Sequence, residues 1–313
     1  MKSVLQHSSI SHTPCMKIVS NNEMSEGMFG QVILFMCEVL PILELKNVDV
    51  NTLQWEVSTR NYGSIFPNVL EYTGQSTTNA NTSVVPLKDL RKLRPQYVLG
   101  DNFIELNKLF FKYFRFPKEL EEKSNLPNLS ECLGLHFRGT DKTTDRKMNT
   151  PMTKTDFFTI IDSYIVANNI KHIFLATDEK EVYDYLQSKY SHIHVLSSRG
   201  FDGNLFWRGN KEADNAKYAI IDMLCLSKCN VVLKVSSALS SFSKLINPNL
   251  KIFRLNALKM FTDIPYFPDA YIPLLEKSDQ YTTDCNATLD KIQQNDWSYK
   301  HRDRFNNFYY KVR

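Results

Sequence analysis

No stretch of this sequence is both long and apolar enough to cross a bilayer. The greasiest region, Gln31-Val-Ile-Leu-Phe-Met-Cys-Glu-Val-Leu-Pro-Ile-Leu, is broken by Glu38 and Pro41 and falls short of the ~20 apolar residues a spanning helix needs. No secretory leader is expected either, since Met1 to Ser20 carries His7, Ser8, Ser9 and His12 where such a leader is apolar. A soluble, cytoplasmic protein is therefore expected. Six cysteines, at 15, 37, 132, 225, 229 and 285, form no Cys-x-x-Cys pair. Cys225 and Cys229 stand four apart, but no further Cys or His pair lies near to complete a zinc set. Cys37, Cys132 and Cys225 sit in apolar surroundings as small buried hydrophobes do, so reduced thiols are expected. The sequons at Asn81, Asn128 and Asn286 are what chance gives in an Asn-rich chain. No block of Lys and Arg interleaved with aromatics occurs, and the net charge is only +4, which gives no footing for nucleic-acid binding. A few surplus cations suit a small anionic ligand. Internal repeats and low-complexity tracts are absent too, which excludes a solenoid.

What remains is an ordinary globular composition. With 313 residues and 42% apolar content the chain can bury two cores of usual size, so two domains are expected. Met16 to Ser20 reads as a first strand, followed by a loop at Ser25 to Gln31 with glycines at 27 and 30. A buried helix then runs from Gln31 to about Leu45, kinked or ended near Pro41. Residues 50 to 100 hold only short apolar pieces, such as Leu53-Gln-Trp-Glu-Val and Ser64-Ile-Phe. Apolar residues recur at helical spacing from Asn102 to Phe116, and Glu119 to Asn128 reads as a linker.

Beyond the linker, strands and helices alternate. Strands fall at Cys132–Phe137, His172–Ala176, Ile193–Leu196, Val231–Val235 and Lys251–Leu255. Helices fall at Lys154–Ala167, Glu179–Lys189 (capped by Asp178), Ala213–Leu226 and Ser240–Leu245. This alternation implies βαβ units and a parallel sheet, an α/β fold. The expected division is 1–125, 126–275 and a C-terminal segment 276–313, with a helix near Asp290 to Tyr310 packed across the two halves.

Ionisable and hydroxyl residues gather where these strands end. Gly134-Leu135-His136-Phe137-Arg138-Gly139-Thr140-Asp141-Lys142 puts a histidine, an arginine, an aspartate and a lysine directly after a buried run. Thr177-Asp178 follows the next strand, Ser236-Ser237 follows the strand at 231–235, and Asp222 lies on the helix before it. Open α/β sheets bind ligands outside the carboxyl ends of their strands. An arginine fork matches phosphate oxygens, and a serine pair entering a helix offers hydroxyls and free amides to an anion. An aspartate accepts the paired N–H groups of a guanine edge. Each feature alone also has a plain reading: Asp178 as an N-cap, the serines as capping residues, His136 as a satisfied core histidine. Their conjunction along one sheet edge points to a nucleotide or sugar-nucleotide site.

The segment His136-Phe137-Arg138-Gly139-Thr140-Asp141-Lys142 resembles the H-x-R-R-T-D-K motif of the core α-1,6-fucosyltransferases and the related nodulation fucosyltransferases. Ile173-Phe-Leu-Ala-Thr-Asp-Glu is similar to that family's strand ending in A-T-D. Asp222-Met-Leu-Cys-Leu-Ser is similar to its D-x-x-x-L-S helix, and Val235-Ser236-Ser237 to its serine pair. Gly27-Met-Phe-Gly30-Gln31 resembles its N-terminal glycine loop more loosely. The resemblance covers residues 130 to 250 well and the rest faintly.

It implies a GT-B architecture, two Rossmann-like domains facing across a cleft, with GDP-fucose as donor substrate on the C-terminal domain, a glycan as acceptor and no resident cofactor. Carried over, Arg138 binds the pyrophosphate, His136 and Asp222 meet the guanine and its ribose, Ser236 and Ser237 hold the β-phosphate, and Lys142 is a second cation at the leaving group. Thr177, Asp178, Gly27 and Gly30 complete the donor-binding set. No metal is implied. The chain has no Asp-x-Asp, and an arginine can stabilise the departing phosphate instead. Two positions depart from the family: its second arginine is Gly139 here, and its candidate catalytic glutamate falls at Arg146. Asp145 and Asp141 are then the candidates to take the acceptor proton. The rival readings are a transferase using another nucleotide sugar, a peptide O-fucosyltransferase, a non-catalytic binder on the same scaffold, and a structural adaptor.

Overall fold

The computed structural model describes residues 16–20, 28–34, 36, 39–41, 54–59, 63–64, 68–73, 83–86, 102–139, 152–198, 214–255 and 272–275. The N-terminal half contains a four-stranded sheet. Strand β1 (Met16–Ser20) lies at its centre, parallel to both β2 (Gln54–Thr59) and β5 (Ser83–Pro86), and β3 (Gly63–Ser64) adds antiparallel to β2. A two-stranded ribbon pairs β4 (Glu71–Tyr72) with β6 (Phe114–Arg115).

Helix α1 (Met28–Leu34) follows β1. It begins three residues before the expected start, because Met28, Phe29 and Val32 form one apolar face that is buried. Gly30 therefore sits inside a helix, not in a glycine loop. Gly27 lies outside the described residues. Helix α2 (Phe103–Tyr113) is capped by the Asn102 side chain on the Glu105 amide and buries Phe103, Leu106, Phe110 and Tyr113, the spacing the sequence shows. The expected linker contains a helix instead, α3 (Lys118–Lys123). Its Leu120 is fully buried and the helix packs on the later α6 (Asp214–Lys228).

The C-terminal half is a five-stranded, all-parallel sheet. Its strands are β7 (Leu133–Phe137), β8 (His172–Thr177), β9 (His194–Leu196), β10 (Val231–Lys234) and β11 (Lys251–Arg254), in the order β11-β10-β7-β8-β9. The α/β architecture with a parallel sheet is thus present as the alternation required. Every residue of β7 and β10 is buried, as central strands covered on both faces are.

Two helices cover each face. Leu133, Leu135 and Phe137 pack with α4 (Lys154–Ala167) and α5 (Lys180–Lys189) through Phe157, Ile161, Val182 and Leu186. On the other face Phe174, Ala176 and Val232 pack with α6 and α7 (Ala238–Ile246) through Leu226 and Phe242. Gly134 is required on that face. A Cβ there would stand 2.9 Å from Val232 Cγ2 and 3.1 Å from both Cys229 Sγ and Leu226 Cδ2.

The topology creates one crevice. From β7 the chain steps outward through α4 to β8 and through α5 to β9. Helix α6 then carries it back to the opposite flank of β7, where β10 and β11 follow. The winding reverses between β7 and β10, and that reversal point is where open α/β sheets bind their ligands. Among the described residues no helix is long and apolar enough to cross a membrane.

Candidate functional site

The two strands beside the reversal point end in the residues the sequence singled out. His136 is the fourth residue of β7 and pairs in register with Lys234, the last of β10. The Val235 amide donates to the His136 carbonyl at 3.1 Å, so the two strands stay zipped to their ends. Beyond that bond Arg138 leaves one strand, half-buried, and Ser236 and Ser237 leave the other, both buried. The structure therefore brings His136, Arg138, Ser236 and Ser237 to one crevice.

Thr177 and Asp178 end the neighbouring strand β8. Asp178 does not cap α5. The cap position is Glu179, which makes no side-chain cap bond, and the Asp178 carboxylate instead accepts the Gly139 amide at 2.9 Å. The bond is tertiary: it ties the exit of β8 to the exit of β7. Thr177 Oγ1 accepts the Glu179 amide at 3.1 Å. Together they hold the backbone just beyond Arg138.

Gly139 is packed closely by the Glu179 side chain. A Cβ at this position would lie 2.4 Å from Glu179 Oε1 and 2.7 Å from Glu179 Cγ. The Glu179 carboxylate, approached by Lys154 Nζ at 3.5 Å, fills the space a larger residue would claim. A carboxylate thus stands beside Gly139.

Asp222 lies on α6, over the same face as His136, and is buried. Its carboxylate accepts from the hydroxyl of Ser198, just beyond β9. Strand β9 is an edge strand, three places from β10 in the sheet. Thr140, Asp141, Lys142, Asp145 and Arg146 lie outside the described residues, as do Arg199 and Arg208.

Three residues at the site escape sequence reading. Ser240, on the first turn of α7, places its hydroxyl 2.7 Å from His136 Nδ1. Ser198 is the partner of Asp222. Lys234 is fully buried, and its ammonium donates to the Ser237 carbonyl at 2.9 Å and to Ser241 Oγ at 2.5 Å. The only local signal was a lysine inside Val231-Val-Leu-Lys-Val, an otherwise apolar strand.

Two cations act on His136. Burial, then the charges of Lys234 and Arg138, hold the His136 imidazole well below its usual range, so it is neutral at pH 7 and presents a polar edge. Unfolded, the same side chain takes up a proton near pH 6.5. Below that pH the unfolded chain binds a proton the native state refuses, so stability falls as pH drops, by at most about 1.4 kcal/mol per pH unit for this one group. Urea midpoints at falling pH should show the slope, and His136→Gln should flatten it.

The three cysteines among the described residues are inert by the same physics. Cys132, Cys225 and Cys229 are buried and free. Burial pushes the Cys132 thiol up to about 11 and raises the other two further, so none is a nucleophile at neutral pH.

No family model matches the sequence and no curated protein matches it. Solved structures do resemble the fold. A crystal of NodZ α-1,6-fucosyltransferase soaked with GDP-fucose aligns at 13% identity over 77% of this chain and 95% of that chain, with a TM-score of 0.46. Fucosyltransferase NodZ from Bradyrhizobium aligns at 14% identity over 76% and 94%, also at 0.46. POFUT1 in complex with GDP aligns at 12% identity over 76% and 97%, at 0.42.

Proposed function

We propose that this protein is a glycosyltransferase that moves L-fucose from GDP-β-L-fucose to a sugar hydroxyl with inversion and without a metal. The observation that carries the reading is the placement of Arg138 and the Ser236–Ser237 turn on the two strands that flank the reversal point of the sheet. A diphosphate at that crevice meets a guanidinium on one side and hydroxyls with helix-terminal amides on the other. The ordered motif from His136 to Lys142 supports the same donor.

In the reaction the bond between fucose C1 and the β-phosphate oxygen breaks as the acceptor oxygen bonds to C1 from the opposite face. Charge builds on the β-phosphate oxygens. Arg138 stabilises it, and Lys142 adds a second cation. Ser236 and Ser237 hold the β-phosphate, while His136 and Asp222 serve the guanosine end. Asp141 or Asp145 takes the acceptor proton.

Gly139 favours a second reading. Its place beside the Glu179 carboxylate removes one cation of the related motif, which fits a protein that binds a nucleotide sugar without turning it over.

Two measurements decide. GDP at about 100 times its Kd should add ~2.7 kcal/mol to stability, seen as a rise in melting temperature, and UDP should add less. Stabilisation by UDP equal to or above that by GDP removes the guanine assignment; none by either removes the donor reading. Incubation with GDP-fucose and a glycan panel, read as GDP release and product mass, then separates a transferase from a binder.

A further inference from the structure

The buried lysine of β10 has no part in the reading above, and its surroundings are unusual. In the sheet register Arg254, Lys234 and His136 stand side by side on β11, β10 and β7, all three buried and all on the face covered by α6 and α7. Lys234 stands at the foot of the Ser236–Ser237 turn. A fully buried ammonium is costly, whereas an apolar side chain of the same length is not.

Ser237 is the N-cap residue of α7, with extended backbone at φ −164° and ψ 137°. An N-cap serine ordinarily turns its oxygen onto the amides of the first helical turn. Ser237 does not: its hydroxyl makes no capping bond, and it is a buried oxygen without a hydrogen-bond partner among the described residues. The residue is held by its carbonyl instead. That oxygen accepts from Lys234 Nζ at 2.9 Å, from Ser241 Oγ at 3.0 Å and from the Ser241 amide at 3.2 Å. The Ser240 hydroxyl lies 3.4 Å from the same oxygen. Lys234 bonds Ser241 as well, so one ammonium fixes both ends of the first turn of α7.

We propose that Lys234 is a positioning residue for a diphosphate. It holds the Ser236–Ser237 turn by the Ser237 carbonyl, keeps the Ser237 hydroxyl and the first amides of α7 uncommitted, and adds a positive charge behind them. The inference rests on the nucleotide-sugar reading for the identity of the ligand, but its content concerns the diphosphate alone. The nucleoside end of the ligand should be indifferent to it.

The test is calorimetric titration of the full chain and of Lys234→Met with GDP, guanosine and inorganic pyrophosphate, each protein first shown folded by its melting transition. Loss of a charged hydrogen-bond donor should weaken GDP and pyrophosphate about tenfold or more and leave guanosine unchanged. Should Lys234→Met not fold, Ser241→Ala removes one acceptor of the ammonium and should show the same selective loss on a smaller scale. Unchanged GDP and pyrophosphate affinities in a folded variant overturn the proposal. An equal loss for guanosine overturns it too, since that marks general damage to the site. If the wild-type chain binds pyrophosphate in a Lys234-dependent way but gains nothing from the guanosine of GDP, the role of Lys234 stands and the guanine-nucleotide reading falls. If wild type binds neither GDP nor pyrophosphate, both fall.

Discussion

Arg138→Ala should lower turnover of GDP-fucose by about 100- to 1,000-fold, the usual cost of removing one preorganised donor aimed at developing charge. The expectation follows from position. Arg138 leaves β7 one residue past the last ladder position, beside the reversal point, and is half-buried, within reach of a ligand at that strand end. The loss should fall mainly on kcat, because negative charge on the β-phosphate oxygens grows as the glycosidic bond breaks, and an interaction that strengthens in the transition state raises kcat more than it lowers KM. Arg138→Lys should recover only part of the rate, since an ammonium supplies a point charge but not the planar fork. The melting temperature of Arg138→Ala should stay near that of wild type. Retention of more than about a tenth of wild-type activity would refute the role.

The contrast with Lys234 sharpens that expectation. Arg138 is half-buried just past a strand end and is proposed to act on the reacting group, whereas Lys234 is enclosed and is proposed to act on the Ser236–Ser237 turn. Arg138→Ala should therefore spare much of the affinity for GDP that Lys234→Met loses. The two substitutions separate charge stabilisation during the reaction from preorganisation before it.

The strand exits were legible in the sequence because their signals are local. An apolar run followed at once by His136 and Arg138 marks both a buried strand and its open end. Helix α4 was legible to the residue, since Thr153 caps it by accepting the Asp156 amide at 3.0 Å and the apolar period holds throughout. Helix α3 was not, because Lys118-Glu-Leu-Glu-Glu-Lys has a single apolar residue. Its stability comes from burying Leu120 against α6, not from a pattern. Asp178 has the form of a cap, and only the adjacency of β7 and β8 turns its carboxylate to Gly139. Ser240 and Ser198 belong to the site through contacts between elements distant in sequence, which no window of neighbouring residues encodes; Lys234 bonds residues only three and seven positions on, and its apolar strand hides it.

Helix α7 is held from its middle to its C-terminal end by packing on α1 and α2, and Phe242→Ala should show it with a loss of about 3–5 kcal/mol of stability. Phe242 is 1% exposed. Its ring meets Phe110 of α2 edge-on at 5.3 Å and Phe29 of α1 at 5.9 Å. Phe110 in turn lies 5.4 Å from both Phe114 and Phe116. Asn107 of α2 adds donors to the carbonyls of Leu245 and Ile246 at 3.0 and 2.9 Å, so α7 is clamped along its length. Truncating the central ring opens a cavity that three helices share, and close-packed aromatic neighbours collapse into such a space only in part. The urea midpoint should fall with the slope unchanged. Phe111→Ala, one residue from Phe110 but 43% exposed, loses only an edge-on contact with Phe110 at 5.1 Å and should change stability by no more than about 1.5 kcal/mol. A loss in Phe242→Ala no larger than that control would mean the aromatic cluster does not anchor α7, and the rigidity asked of the Ser237 turn would have to come from Lys234 and Ser241 alone.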